Sequence, residues 1–382
     1  MGEWWGRFRE NQDWEDLRNR PRTPKRQARK LSSAVRQAIR QVRSELEAEA
    51  QDKDELDYVG AFAIRSCLQA REVKPLPSIS SIERELHLAG MVKPYQKTVP
   101  VDIDYPSLHP THPLGLIQAD ILPRFLTGGS AIACFNAIDV VSRYPGGQQY
   151  ANRTTAVACD FLWSIWQELG LPEYQQLDNE GCFSGGFTHP GVIGKVIRLA
   201  LWVGVQLVFS PLAHPESNGF VERFHQGYAN FVWKKELLPD LPAVRQRSAL
   251  FYRNYRASRH HSQLAGRSPE ECHLAYPTYK IPEGLCLPPK LPLTTGQVHF
   301  LRAVDANRQV KVLNLAWDVP NTEPHQGVWI TINFSLSGSA ALSVFDAAPD
   351  AAKRTRLVSH PFQLKDSVLP LSKEFHRQQH TF

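Results

Sequence analysis

Three carboxylates stand where an acid needs a reason. Asp120 interrupts an otherwise apolar strand made by Leu116, Ile117, Ala119, Ile121 and Leu122, Asp178 follows a short strand-like run, and Glu222 lies near the start of a helix. An uncompensated carboxylate in an apolar strand is expensive unless something such as a cation neutralises it. Taken singly, each acid also has a plain reading: a satisfied strand Asp, a turn former beside Asn179, and a residue that favours a helix N-terminus.

The elements that must position these acids follow from the pattern around them. Apolar runs at 116–122 and 131–141 read as strands, 154–169 as a helix, and a short strand precedes Asp178. A helix over 191–203, a strand at Gln206–Phe209 and a long helix from Ser217 complete an alternating α/β pattern. Upstream, Val35, Ile39, Val42 and Leu46 recur at helical spacing with Arg36, Arg40 and Arg43 on other faces, a basic amphipathic helix. A second helix is expected over 57–71. The S-x-x-E run from Ser80 to Glu83 then reads as a capping box for a short third helix that carries Ile82 and Leu86 inward, Arg84 and His87 outward, and stops at Gly90. This segment reads as a helix-turn-helix or as an ordinary helical hairpin. Pro94, Pro100, Pro106, Pro110 and Pro113 mark a first linker, and Pro277, Pro282, Pro288, Pro289 and Pro292 a second. Strand-like runs at 297–304, 309–319, 328–335 and 340–345 follow, which suggests a small β-barrel.

From about Leu116 to Pro269 the chain resembles the catalytic domain of bacterial insertion-sequence transposases and retroviral-type integrases, a ribonuclease H-like fold. The matching pieces are I-Q-A-D ending in Asp120, A-I-D-V-V-S-R-Y from Ala137, L-D-N-E-G-C-F from Leu177 and H-P-E-S-N-G-F-V-E-R-F from His214. Asn254-Tyr255 and S-R-H-H-S-Q-L-A-G-R-S-P-E from Ser258 resemble the family's tail after its third acid. Five ordered matches are strong evidence together, where any one would be weak. The resemblance implies a multidomain α/β chain: a basic arm (1–30), a helix-turn-helix-like region (31–93), a linker (94–114), an integrase catalytic core with a mixed sheet flanked by helices (115–275), a Pro-rich linker (276–294), a small β-barrel like that of phage Mu-like relatives (295–350) and a tail (351–382).

By the same resemblance Asp120, Asp178 and Glu222 correspond to the family's D, D and E. Glu216 is the competing third acid, and Asp139 is a neighbour of the site. The implied chemistry is phosphodiester cleavage at element ends and strand transfer into target DNA, with two Mg²⁺ or Mn²⁺ ions about 4 Å apart stabilising the attacking and leaving oxygens. Asp120 would bridge both ions, and Asp178 and Glu222 would each hold one. Double-stranded DNA and further copies of the chain are the implied partners. Departures from the family pattern are Ile117, where many relatives place Trp, and Glu180-Gly181 after Asn179. Relatives commonly carry another helix-turn-helix before the segment equivalent to Trp4-Trp5, so the resemblance leads one to expect a longer N-terminus.

Charge is distributed in blocks. From Arg18 to Arg43 there are ten basic residues and no acid, Glu45 to Asp57 holds seven acids and one Lys, and Ser217 to Arg267 holds nine basic residues against three acids. Such blocks are solvated faces or phosphate-binding surfaces. The residues expected to approach DNA are Arg22, Lys25, Arg26, Arg29, Lys30, Arg84, Arg223, Lys234, Lys235 and Arg259, with Arg153, His225, His260 and His261 as weaker candidates for contact with substrate. Six scattered cysteines without a C-x-x-C pair, and no apolar run approaching the ~20 residues of a membrane span, fit a cytoplasmic protein with reduced thiols. Two other functions compete: a DNA-binding protein descended from a transposase that no longer cuts, and a ribonuclease H-like nuclease without strand transfer.

Overall fold

The computed structural model describes residues 8–10, 12, 31–52, 54, 56–92, 103–185, 189–211 and 215–375. Arg22, Lys25, Arg26, Arg29 and Lys30 lie outside the described residues.

Three helices form the N-terminal region: α1 (Ser33–Glu49), α2 (Ala61–Ala70) and α3 (Ile79–Leu88). Their apolar stripes meet in a core of their own, built from Val35, Ile39, Val42, Ile64, Leu68, Ile82 and Leu86. Ser32 caps α1 by accepting from the Val35 amide. The cap of α3 is Ser78, whose hydroxyl accepts from the Ser81 amide, and not the Ser80 of the expected capping box. Arg84 and His87 do face outward. Arg40 reaches across the bundle to the buried Glu85 at 2.8 Å.

The α/β core starts with an antiparallel meander of β1 (Leu116–Phe125), β2 (Ala131–Asp139) and β3 (Pro145–Tyr150). Helix α4 (Thr155–Leu169) crosses to β4 (Tyr174–Leu177), which lies parallel to β1. The single-turn α5 (Gly181–Ser184) and α6 (Lys195–Val203) lead to β5 (Gln206–Phe209), parallel to β4. The core order is therefore β5-β4-β1-β2-β3. One face packs on α4 and α6 through Ile117, Phe135, Phe161, Trp166 and Ile197. The other face packs on α7 (Gly219–Tyr228) and α8 (Leu241–Ala257) through Cys134, Ile138, Val221, Phe224 and Phe251. The long helix expected from Ser217 is thus two helices, separated by a π turn at Ala229–Trp233. Strand β3 had no counterpart among the expected strands, because its Pro-Gly-Gly start has no strand signature. Gly147 is needed there: a Cβ would collide with the Tyr252 hydroxyl and stand 2.7 Å from the Phe135 carbonyl oxygen.

After α9 (Pro269–Leu274) and the two-residue β6 (Leu293–Thr294), the C-terminal strands extend this sheet and do not form the separate small barrel expected at 295–350. β7 (Gly296–Ala303) pairs parallel with β5, and β10 (Gly327–Phe334), β11 (Ala340–Phe345) and β12 (Arg356–Phe362) add on antiparallel to give nine strands. The hairpin β8 (Gln309–Val312) and β9 (Leu315–Asp318) lies against them, with Trp317 stacked on Phe362. The two-residue β13 (Val368–Leu369) pairs with β6. The expected tail therefore contains two strands.

Both Pro-rich segments are pinned down where they are described. The Trp329 indole donates to the Pro106 carbonyl at 2.6 Å, the His109 amide donates to Asp350 at 2.6 Å, and Ile281 is buried in the main core. Among the described residues no helix is long and apolar enough to cross a membrane, and the six cysteines are unpaired.

Candidate active site

Strands β1 and β4 pair with an offset of 58 residues, Leu116 opposite Tyr174 and Gln118 opposite Gln176. Asp120 and Asp178 have the same separation, two residues beyond the last pair, so parallel register sends both side chains to the face on which α7 packs. Glu222 sits in the first turn of α7.

The electrostatics reflect this convergence. Burial pushes the Asp120 carboxyl up to about 7, and the charges of Asp178, Glu222 and Glu180 push in the same direction. Burial also raises Asp178 and Glu180, the latter held back by the Arg153 guanidinium, which donates to its carboxylate. Glu180 is thus a fourth acid at the site, where the sequence showed only a departure from a pattern. His225, one turn along α7 from Glu222, is buried with Nδ1 3.6 Å from the Asp120 carboxylate. Its Nε2 has no hydrogen-bond partner, and burial together with the charge of Arg124 lowers its pKa to about 4.

Two glutamines absent from the expected site connect its parts. Gln118 and Gln176 touch at 3.2 Å, and both donate to the Ser217 carbonyl at the entry to α7. A period-2 reading of I-Q-A-D and Q-Q-L-D places each one on the face of the acid two residues later, which is the signal that could have found them. Behind Asp178, the buried Arg302 of β7 donates to the Asn179 side chain at 2.7 Å and to the Ser210 carbonyl at 2.8 Å. Asn179 donates to that same carbonyl at 2.7 Å.

Asp139 is not part of this group. It is fully buried, opposite Ile117, and its carboxylate accepts from the amides of Leu114, Val141 and Ser142. The side chain of Glu216 lies outside the described residues.

The basic residues divide between surface and interior. Arg84, Arg223 and Lys234 are exposed. Lys235 pairs with Asp57 at 3.0 Å and donates to the Asp52 carbonyl, and Arg259 pairs with Glu271. Arg247 is buried against Asp54 at 2.6 Å, and Arg245 and Arg256 donate to the carbonyls of Gln149 and Pro145. Four of the nine basic residues of the second block, Lys235, Arg245, Arg247 and Arg256, thus hold the chain's own acidic spacer and β3. His261 lies 3.4 Å from the Tyr58 hydroxyl and packs on Tyr255.

As a donor set, Asp120, Asp178 and Glu222 fit a hard divalent cation: they offer carboxylate oxygens only, and burial makes the charged forms of Asp120 and Asp178 costly without a cation beside them. Among the described residues no three His, Cys, Asp or Glu side chains stand close enough together to form a ready-made metal cluster.

Residues 203–269 match the family model described as integrase core domain, a stretch that contains Glu222 but neither Asp120 nor Asp178. No curated protein matches the chain. Among solved structures, a chain of the simian T-cell lymphotropic virus intasome aligns at 14% identity over 79% of this chain and 95% of that one, with a TM-score of 0.38. The HTLV-2 integrase catalytic core domain in complex with magnesium aligns at 15% identity over 43% of this chain and 99% of that one, with a TM-score of 0.35. The catalytic core domain of BIV integrase aligns at 19% identity over 42% and 94%, with a TM-score of 0.32. Over residues 203–269, the stretch that holds Glu222, the chain is thus similar to an integrase core domain.

Proposed function

We propose that the chain is a metal-dependent polynucleotidyl transferase that cleaves phosphodiesters at the ends of a mobile element and joins the freed 3′-hydroxyls to target DNA. The observation that supports this reading is that β1 and β4 bring Asp120 and Asp178 to one face, with Glu222 in the first turn of the helix packed there, near enough for both charges to add to the rise that burial gives the Asp120 carboxyl. These three acids would hold Mg²⁺ or Mn²⁺, two ions per site, which when bound stabilise the negative oxygens of in-line displacement at phosphorus. The chain's own groups set the scene for it. Arg153 restrains Glu180 at the mouth, and the buried His225, neutral at pH 7, lies beside Asp120 without adding a competing positive charge. Exposed Arg84, Arg223 and Lys234, together with the basic arm, would hold the phosphates of double-stranded DNA, with more than one copy of the chain in the DNA complex.

The test uses purified full-length protein, Mg²⁺ or Mn²⁺, and labelled duplexes that end in the repeats flanking the gene. Cleavage and joining are expected from the wild-type chain, with a loss of a thousandfold or more in Asp120→Asn, Asp178→Asn and Glu222→Gln at unchanged DNA affinity. Full activity in these variants would remove the assignment. Cleavage without joined product would leave a nuclease.

A further inference from the structure

Helix α7 does not cap itself. Its N-cap residue, Asn218, makes no side-chain hydrogen bond to the helix, because its carboxamide oxygen instead accepts from Gln176 at 2.7 Å and from Ser210 at 2.8 Å. The amides that an N-cap side chain usually serves are those two and three positions on, here Phe220 and Val221. Both donate to the side-chain oxygen of Gln118, at 3.2 and 3.3 Å. The cap of this helix is therefore supplied from another element, strand β1, two residues before Asp120. Gln176, two residues before Asp178, supports the same turn by donating to the Ser217 carbonyl at 2.8 Å and to Ser210 at 3.0 Å. Both glutamines are nearly fully buried. The residue directly after the two capped amides is Glu222.

Resting on the reading that Asp120, Asp178 and Glu222 are the catalytic acids, we propose that Gln118 and Gln176 are positioning residues: a two-glutamine clamp that couples both aspartate strands to the helix start and so sets the place of Glu222. A clamp of this kind ties the three acids into one rigid group, although the first and last of them are 102 residues apart in the chain. Its removal frees Glu222 to drift by a fraction of an ångström, and a hard cation with strict ligand geometry is bound less well.

The control is built into the same strand. Gln175 is equally buried and also hydrogen-bonded, to Trp166 at 3.1 Å and to the Ile117 carbonyl at 3.1 Å, but it faces the opposite side of the sheet. Full-length wild-type protein, Gln118→Leu, Gln118→Asn, Gln176→Leu and Gln175→Leu are compared in two measurements. One is Mn²⁺ binding to the DNA-free protein by electron paramagnetic resonance. The other is the Mn²⁺ concentration for half-maximal single-turnover cleavage, with DNA affinity measured alongside. Gln118→Asn keeps the carboxamide but draws it back by one methylene, so it covers the case in which Gln118→Leu does not fold. The clamp variants are expected to need at least tenfold more Mn²⁺ in both measurements with DNA affinity within twofold, while Gln175→Leu matches wild type in metal requirement even if it melts earlier. A Gln118→Asn protein with the wild-type Mn²⁺ requirement, or an equal shift in Gln175→Leu, overturns the clamp. A wild-type chain that neither binds Mn²⁺ nor cleaves DNA overturns the catalytic reading itself, and the clamp with it.

Discussion

Arg302 donates to the Asn179 side chain at 2.7 Å, so a strand near the C-terminus holds the loop that begins at Asp178. The guanidinium is almost fully buried, its donors go to Asn179 and to the carbonyls of Ser210, Leu301 and Lys311, and burial lowers its pKa to about 10. Arg302→Met removes all of these donors at similar volume and is expected to lower stability by about 3 kcal/mol. Cleavage by the folded fraction should fall as well, because Asn179 loses its prop. Urea unfolding followed by cleavage assays below the transition checks both, and an unchanged midpoint removes the role.

The acid group makes the metal-free protein sensitive to pH in one direction. Asp120 rises from an ordinary value of 3.8 to about 7, so the folded state binds a proton more tightly than the unfolded chain. The associated stability is complete below about pH 4 and is lost as pH rises through 7, by a few kcal/mol at most. Raised Asp178 and Glu180 act with the same sign. Metal-free protein should therefore melt at a lower temperature at pH 8 than at pH 5, and Mg²⁺ should restore more at pH 8. Asp120→Asn should flatten the dependence, and a slope equal to that of wild type would refute the assignment.

Asp139 organises the chain on either side of β2. Asp139→Ala leaves three amides, those of Leu114, Val141 and Ser142, without their carboxylate acceptor. A loss of about 3 kcal/mol is expected in chemical denaturation, with the cleavage rate per folded molecule unchanged. A selective loss of rate at full stability would place Asp139 in the active site after all.

Gly147 sits where α8 meets β3, and the Tyr252 hydroxyl occupies the space of a Cβ. That hydroxyl also donates to Asn136, the ladder partner of Asp120, at 2.6 Å. Gly147→Ala should displace the ring, break this bond and lower stability by roughly 2–4 kcal/mol, read as an earlier melting transition. An unshifted transition would mean that β3 can slide to make room.

The α/β order and the candidate acids could be read from the sequence because both leave local signatures: apolar runs of strand or helix length, and carboxylates in apolar surroundings. What could not be read depended on distant partners. Gly147 of β3 is required by Tyr252, a residue about a hundred positions later. Arg245, Arg247 and Arg256 are basic in composition, yet their forked donors end on carbonyls and carboxylates of this chain. Gln118 looks like an ordinary strand residue until the helix that it caps is in place. The union of β5 with β7 rests on backbone hydrogen bonds, which any residue but proline can make and which therefore leave no compositional trace.

That union also has a consequence during synthesis. Leu207 pairs with Val298, so when β5 leaves the ribosome its partner is still about ninety residues from being made. Until then the growing core carries an open parallel edge, a template for a neighbouring nascent chain. Translation stops or premature termination between Glu222 and Val298 would yield a core that contains all three candidate acids but whose sheet is left open to association with other chains.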